Sequence, residues 1–325
     1  MPRQIAPLFL LTVALLGGSA RGSEPVRKAN PEYQKNWQTF GIKGRVQSLK
    51  ETEDKRRAPG IQPRNLEQLW FGPSGNLTRQ VTTREGEYYG DQRYTYDAAG
   101  NYEQTEHYKE DGTLKFTTRN TFNANGKVVE YAEFTGAARV TYRRTETYVK
   151  DTPEEQVVEW RQTVPATRPG DVMKHVTRFD AQGRKLLHEV SRGSEAPTEK
   201  ALYQYRPDNT VEVTESSYSQ GSGNRLTSTR IIVYDAAKRV LSRKVFSVAY
   251  PENNFELSVK YDAAGNITEE TLKNAKGLDE ARSYRNKYSY DRQGNWVRRV
   301  TSSLKGKYRG SVVRRIEYYS ATTTP

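Results

Sequence analysis

The 325-residue sequence predicts an all-β protein: a long antiparallel hairpin meander of about nine repeats, in a curled or part-closed sheet. Three observations carry that expectation. The string YDAAGN stands at 96–101 and again at 261–266, and variants of it recur along the chain. Aromatic or β-branched residues alternate ahead of the copies, as in Tyr94/Tyr96, Tyr203/Tyr205, Val259/Tyr261 and Tyr288/Tyr290, which puts each pair on one face of a strand. A second set of breakers, including EDGT (110–113), SQGSGN (219–224) and YPENN (250–254), falls about midway between copies.

The copies include FGPSGNL (71–77), YDAAGNY (96–102), FNANGKV (122–128), FDAQGRK (179–185), YRPDNTV (205–211), YDAAKRV (234–240), YDAAGNI (261–267) and YDRQGNW (290–296). A degraded copy starts at Tyr148, and steps between the leading aromatics run from 25 to 31 residues. Each copy reads as a hairpin tip. Asp97, Asp180, Asp262 and Asp291 open a type I turn, because a carboxylate can accept from the backbone two residues on. Gly100, Gly126, Gly183, Gly265 and Gly294 then take the left-handed position that fits a short hairpin to strand twist. Asn209 tolerates that slot, whereas Lys238 in the seventh unit occupies it at a cost of ~1–2 kcal/mol. Nine units at two strands each imply roughly eighteen strands, and an open twisted sheet rarely exceeds ~10 without curling. Weak alternation on the second face, as in NITEETLKN (266–274), leaves that face wet.

Composition sets outer limits. Only 34% of residues are hydrophobic and the mean hydropathy is −0.92, values that border on disorder, yet 22 Tyr and 9 Phe suit pleated sheet. Residues 1–22 read as a secretory signal peptide: a basic residue (Arg3), an apolar run from about Ile5 to Leu16, then Gly18–Ala20. Residues 23–43 form an N-terminal extension in which 30–41 is expected to make a short edge-capping helix. The repeat sheet spans 44–319, and 320–325 make a loose tail. With no Cys, disulfides and thiol catalysis are excluded. Loss of Arg3 and Arg21 with the signal lowers the formal charge from +13 to about +11. That excess favours anionic partners, although Lys and Arg are scattered and no concentrated tract stands out.

The strings YTYDAAGN (94–101), YSYDRQGN (288–295) and VKYDAAGN (259–266) resemble the YD repeat of rearrangement-hotspot (Rhs) proteins, bacterial wall-associated proteins and teneurins. FGIKGRVQSLKETED (40–54) and the segment 290–319 are similar to short exported members from Gram-negative bacteria. The resemblance covers about 44–319. It implies a spiralling β-sheet and carbohydrate binding, but the toxin-enclosing shell of large members is not carried over.

Chemistry is sparse. His107, His175 and His188 lack metal-ligand spacing, and nucleophile-elbow, P-loop and dinucleotide motifs are missing, so no catalytic, cofactor or metal residue is assigned. Adjacent carboxylates such as Glu269/Glu270 point to opposite faces of a strand and cannot flank one bond. The sequons at Asn76 and Asn266 are read as accidents outside the repeat register. What remains are ring rows, Tyr94, Tyr96, Tyr203, Tyr205, Tyr288, Tyr290 and Trp296, which could stack on sugar faces or simply hold the sheet together. The expected function is a non-catalytic, exported binding or scaffold surface in the periplasm or at the cell surface. Its partner would be an anionic polysaccharide or other envelope component, or a protein, with nucleic acid disfavoured and no membrane span after signal removal. An immunity-type or toxin-associated protein is the second expectation, and a glycan-active enzyme the third.

Overall fold

A computed structural model describes residues 29, 33–53, 65–84, 87–136, 139–164, 172–193, 195–219 and 224–320. The signal segment and residues 321–325 lie outside these. The described chain is β throughout, apart from turns and short 3-10 segments at Tyr33 and Pro251–Asn253. The first seven strands are β1 (Val46–Glu53), β2 (Asn65–Phe71), β3 (Leu77–Arg84), β4 (Glu87–Tyr96), β5 (Tyr102–Tyr108), β6 (Leu114–Phe122) and β7 (Val128–Thr135). They are followed by β8 (Arg139–Asp151), β9 (Glu155–Val164), β10 (Val172–Phe179), β11 (Lys185–Arg192), β12 (Glu199–Tyr205), β13 (Val211–Tyr218) and β14 (Leu226–Tyr234). The last seven are β15 (Val240–Ser247), β16 (Phe255–Tyr261), β17 (Ile267–Asn274), the two-residue β18 (Gly277–Leu278), β19 (Tyr284–Tyr290), β20 (Trp296–Ser302) and β21 (Tyr308–Tyr318).

Every strand pairs antiparallel with its sequence neighbour, except that β18 folds back on β17 alone and β17 goes on to pair with β19. The ends then meet. Val46 to Glu53 pair with Tyr318 to Val312, so β21 joins β1. The sheet is therefore a closed barrel of twenty strands, and the expected curled or part-closed sheet of about nine repeats is overturned. The nine tips account for eighteen strands; β1 and β21 lie outside the motif and supply the seam. Closure removes both unpaired edges, which an open sheet would leave as templates for aggregation. Twenty strands at ~4.8 Å spacing give a section about 30 Å across before tilt widens it, comparable to barrels that hold an aqueous channel.

The tips repeat one geometry. Asp97, Asp180, Asp262 and Asp291 each donate their backbone N–H to the carbonyl four residues on, at 2.9 Å. The Asp97 Oδ1 accepts from the N–H of Ala99 (2.9 Å) and Asn101 (3.0 Å). Gly100, Gly126, Gly183, Gly265 and Gly294 hold φ between 73° and 87°, while Asn209 and Lys238 sit at 61° and 62°. Asn76 and Asn266 occupy the same closing position as Asn101 and Asn295, so both sequons are in the repeat register after all. The Asn266 side-chain amide donates to Asp262 (3.2 Å).

A bulge sits beside most tips, and the ladders to the next hairpin begin only at Arg79, Ser242 and Glu269, leaving Leu77, Val240 and Ile267 outside them. The next hairpin satisfies each of their carbonyls with a side chain. Tyr96 OH donates to the Leu77 carbonyl (2.7 Å), Tyr261 OH to Val240 (2.9 Å) and Tyr288 OH to Ile267 (2.9 Å).

Within the extension the described residues 33–43 form no α-helix; the start of the expected helix, 30–32, lies outside the described residues. Residues 33–43 run as turns along the rim of tips on both sides of the seam. Trp37 donates its Nε1–H to the Val46 carbonyl (2.7 Å), Leu77 N–H donates to Lys35 O (2.8 Å), and Asn295 Nδ2 donates to Lys43 O (2.7 Å). Trp37, Phe40 and Ile42 pack with Val46, Leu49, Leu69, Phe71 and Leu77 into the one hydrophobic cluster among the described residues. Turn hydrogen bonds suit this stretch better than a helix, because Asn36 caps locally onto Gln38 (3.0 Å) and Thr39 (3.2 Å).

Candidate functional site: the inner wall of the barrel

Cross-strand partners followed around the ring define two faces. One carries Leu49, Leu69, Val213, Ile232, Val259 and Val312, all buried; alternating with them on the other face are exposed Lys50, Lys244, Lys260 and Val313. Closure crowds side chains on the concave side, so the buried set lines the inside. The outer wall is tiled with cross-strand ion pairs: Lys200–Glu189 at 3.2 Å, Lys244–Glu256 at 3.4 Å, and Glu269 held by both Lys260 (2.8 Å) and Arg285 (2.7 Å). Glu270, next in the chain, faces inward and accepts from Tyr284 OH (3.1 Å), so the two adjacent carboxylates do part to opposite faces.

The inner wall has two bands. Nearer the tips lie the rings singled out from sequence, and all seven stand on this face. Tyr94 is 5% exposed, and its hydroxyl meets Lys35 Nζ (2.9 Å) and Gln80 Oε1 (3.2 Å). Burial pushes the phenols of Tyr94 and Tyr96 far up. It also raises Tyr203 to about 12, and Tyr290, whose hydroxyl donates to Asp262, to about 12. Arg184 lies 4.3 Å from the Tyr205 ring centre. Trp296 is covered by Arg314 at 3.4 Å and meets Tyr288 edge-on at 5.8 Å. The structure thus gives these rings internal partners; Tyr290, 41% exposed, is the most open.

The second band was not legible in the sequence. Here charges are matched within the wall: Arg314–Glu51 (3.0 Å), Arg144–Glu146 (2.7 Å) and Arg230–Glu215 (3.1 Å). On β8 to β11 it concentrates into a row. The Arg144 guanidinium lies 4.1 Å from the Trp160 ring, Trp160 meets His175 at a 36° tilt with ring centres 3.7 Å apart, and His175 approaches His188 at 5.6 Å. The Nδ1 of His188 shares a hydrogen bond of 3.0 Å with the Thr177 hydroxyl. Burial first, then the neighbouring His188 and Arg144, pushes His175 down to about 3; burial and Lys185 push His188 down to about 4. Both imidazoles are neutral at pH 7. Trp160 Nε1, His175 Nε2 and Arg144 Nε have no hydrogen-bond partner. Each residue follows ordinary period-two alternation, so only the pairing of four strands reveals the row.

His107 stands apart from that row. It is stacked on Phe116 at 4.0 Å and lowered to about 4 by burial and then Lys35. Among the described residues no three His, Asp or Glu side chains group as a metal site. The wall therefore offers ring faces and neutralised ion pairs, with two buried, unpaired ring nitrogens just beneath them, a surface for polar recognition.

Fold and wall together define a closed antiparallel β-barrel with a charged exterior and a mixed aromatic–polar lumen. No family model and no curated protein matches the sequence. Solved structures with some similarity to this chain include a porin-like protein from Bacteroides uniformis, at 11% identity and a TM-score of 0.31, covering 84% of this chain and 96% of that one. A second porin-like protein, from Bacteroides vulgatus, shows 12% identity and a TM-score of 0.24 over 84% and 98%. The TcdB2–TccC3 structure shows 11% identity and a TM-score of 0.31, with 79% of this chain covering 16% of that much longer one.

Proposed function

We propose that this is an exported, non-catalytic binding barrel of the YD-repeat class, which takes an envelope glycan against its inner wall. The observation that carries the proposal is the Arg144–Trp160–His175–His188 row, where ring faces, a guanidinium and two buried ring nitrogens still lacking a partner adjoin a band whose charges are already balanced. Sugars present such a mixture: apolar C–H faces for rings and hydroxyls for N–H donors. Export is supported by the signal-like residues 1–22. The ion-paired exterior argues against a place in hydrocarbon, where a spanning barrel turns an apolar band outward. Assignment to the YD class rests on the strings and on the Asp–Gly tip geometry shared across units.

A glycan array on the mature protein, followed by titration of the best ligand with tryptophan fluorescence, tests the proposal. Trp160→Phe keeps a ring and removes one N–H; affinity is expected to fall several-fold, on the scale of one hydrogen bond. An array with no glycan bound, or a glycan whose affinity ignores Trp160→Phe, would overturn the lumen as the site.

A further inference from the structure

At the closure seam the outer wall departs from its pattern of ion pairs. Lys50 on β1 lies directly opposite Arg315 on β21. Arg298 on β20 pairs with Val313, two residues from Arg315, and Lys287 on β19 pairs with Val300, two residues from Arg298. The four cations therefore climb diagonally across four adjacent strands, one per strand, and all four are exposed. Like charges directly opposed across a sheet are destabilising. Among the described residues a second outward pair of this kind, Arg79 facing Arg93, is relieved by Asp91 buried between them, 2.8 Å from Arg79. At the seam Arg315 has Glu317 at 3.6 Å, whose carboxylate also accepts from Ser48, and Glu269, diagonal to Lys287, is already held by Lys260 and Arg285.

We propose that this staircase, Lys287–Arg298–Arg315–Lys50, is a docking surface for an acidic polysaccharide. A repulsion eased only by one exposed ion pair, Arg315–Glu317 at 3.6 Å, marks a site where an external anion supplies the missing charge. The residues beside the cations are Ser289, Val300, Val313, Thr52 and Gln68, so hydroxyls and an amide adjoin the charges and no ring does. The nearest outward indole, Trp70, is already covered by Arg79 at 4.7 Å. Single-stranded nucleic acid on a sheet is held by stacking rings, and a membrane surface calls for apolar anchors. A chain of carboxylated sugars needs only spaced cations and hydrogen-bonding groups. The inference is independent of the lumen reading, because the staircase lies on the opposite face.

The test is titration of polygalacturonate into the mature protein at low and physiological salt. Wild type should bind, with affinity falling as salt rises. Lys50→Gln/Arg315→Gln should weaken binding about tenfold and flatten the salt dependence, while raising Tm because the repulsion is gone. Trp160→Phe should leave this affinity unchanged, which separates the two sites. No binding by wild type, unchanged affinity in the double variant, or tighter binding to DNA or to anionic phospholipid vesicles would overturn the proposal.

Discussion

The left-handed slot at the tips and the phenol that caps the neighbouring hairpin are the two residue-scale devices on which the barrel depends. Lys238 holds φ of 62° with a Cβ present. Lys238→Gly should relieve ~1–2 kcal/mol of strain against ~0.4–1 kcal/mol of added chain entropy, a net gain of up to ~1.6 kcal/mol visible as a rise in Tm. Gly265→Val should do the reverse, since its φ is 87° and a Cβ would meet Arg239 Nη1 at 3.4 Å. Tyr261→Phe retains the ring beside Arg239 (4.6 Å) but leaves the Val240 carbonyl without its donor. A loss of about 1 kcal/mol in denaturant unfolding is expected. An unchanged midpoint would show that water replaces the phenol.

Among elements, the extension along the rim has the largest leverage because it spans the seam. Trp37 touches Gly75 so closely that a Cβ there would stand 2.8 Å from the indole. Gly75→Ala should therefore displace the extension as well as strain a turn at φ of 93°. Trp37→Ala removes the hydrogen bond to Val46 and a ring that packs 6.5 Å from Phe71. It should cost about 2 kcal/mol, part of a large-to-small core change. Hydrogen exchange checks where that cost falls: protection should drop first in β1 and β21, and uniform loss around the ring would contradict the brace.

At the scale of the whole molecule the inner wall couples stability to pH. His175, His188 and His107 are held neutral when folded, at about 3, 4 and 4, against an ordinary value near 6.5 once unfolded. The unfolded chain binds more protons between those limits, so stability is full above about pH 6.5 and declines as pH falls toward 4. Melting curves from pH 8 to 4 should show that decline, with a shallower slope in His175→Gln/His188→Gln. A parallel slope in the variant would assign acid sensitivity to the carboxylates instead.

Local chemistry alone determined the all-β class, the tip positions and the period-two faces, because an Asp–x–x–Gly turn and alternating side chains act within a few residues of chain. For the same reason each pair, Tyr94/Tyr96, Tyr203/Tyr205 and Tyr288/Tyr290, could be placed on one face of its own strand before any pairing was known; that the seven rings share one wall follows only from register. What sequence left open was everything set by non-local register. Whether a meander of this length closes depends on accumulated twist and on the match between β1 and β21, segments outside the motif that meet across nearly the whole chain. The row from Arg144 to His188 exists only where four strands align, and the scattered Lys50, Lys287, Arg298 and Arg315 become a patch only because the seam closes. Tertiary structure decided the barrel and both candidate sites, since a ladder's register is fixed by partners that no local stretch of sequence contains.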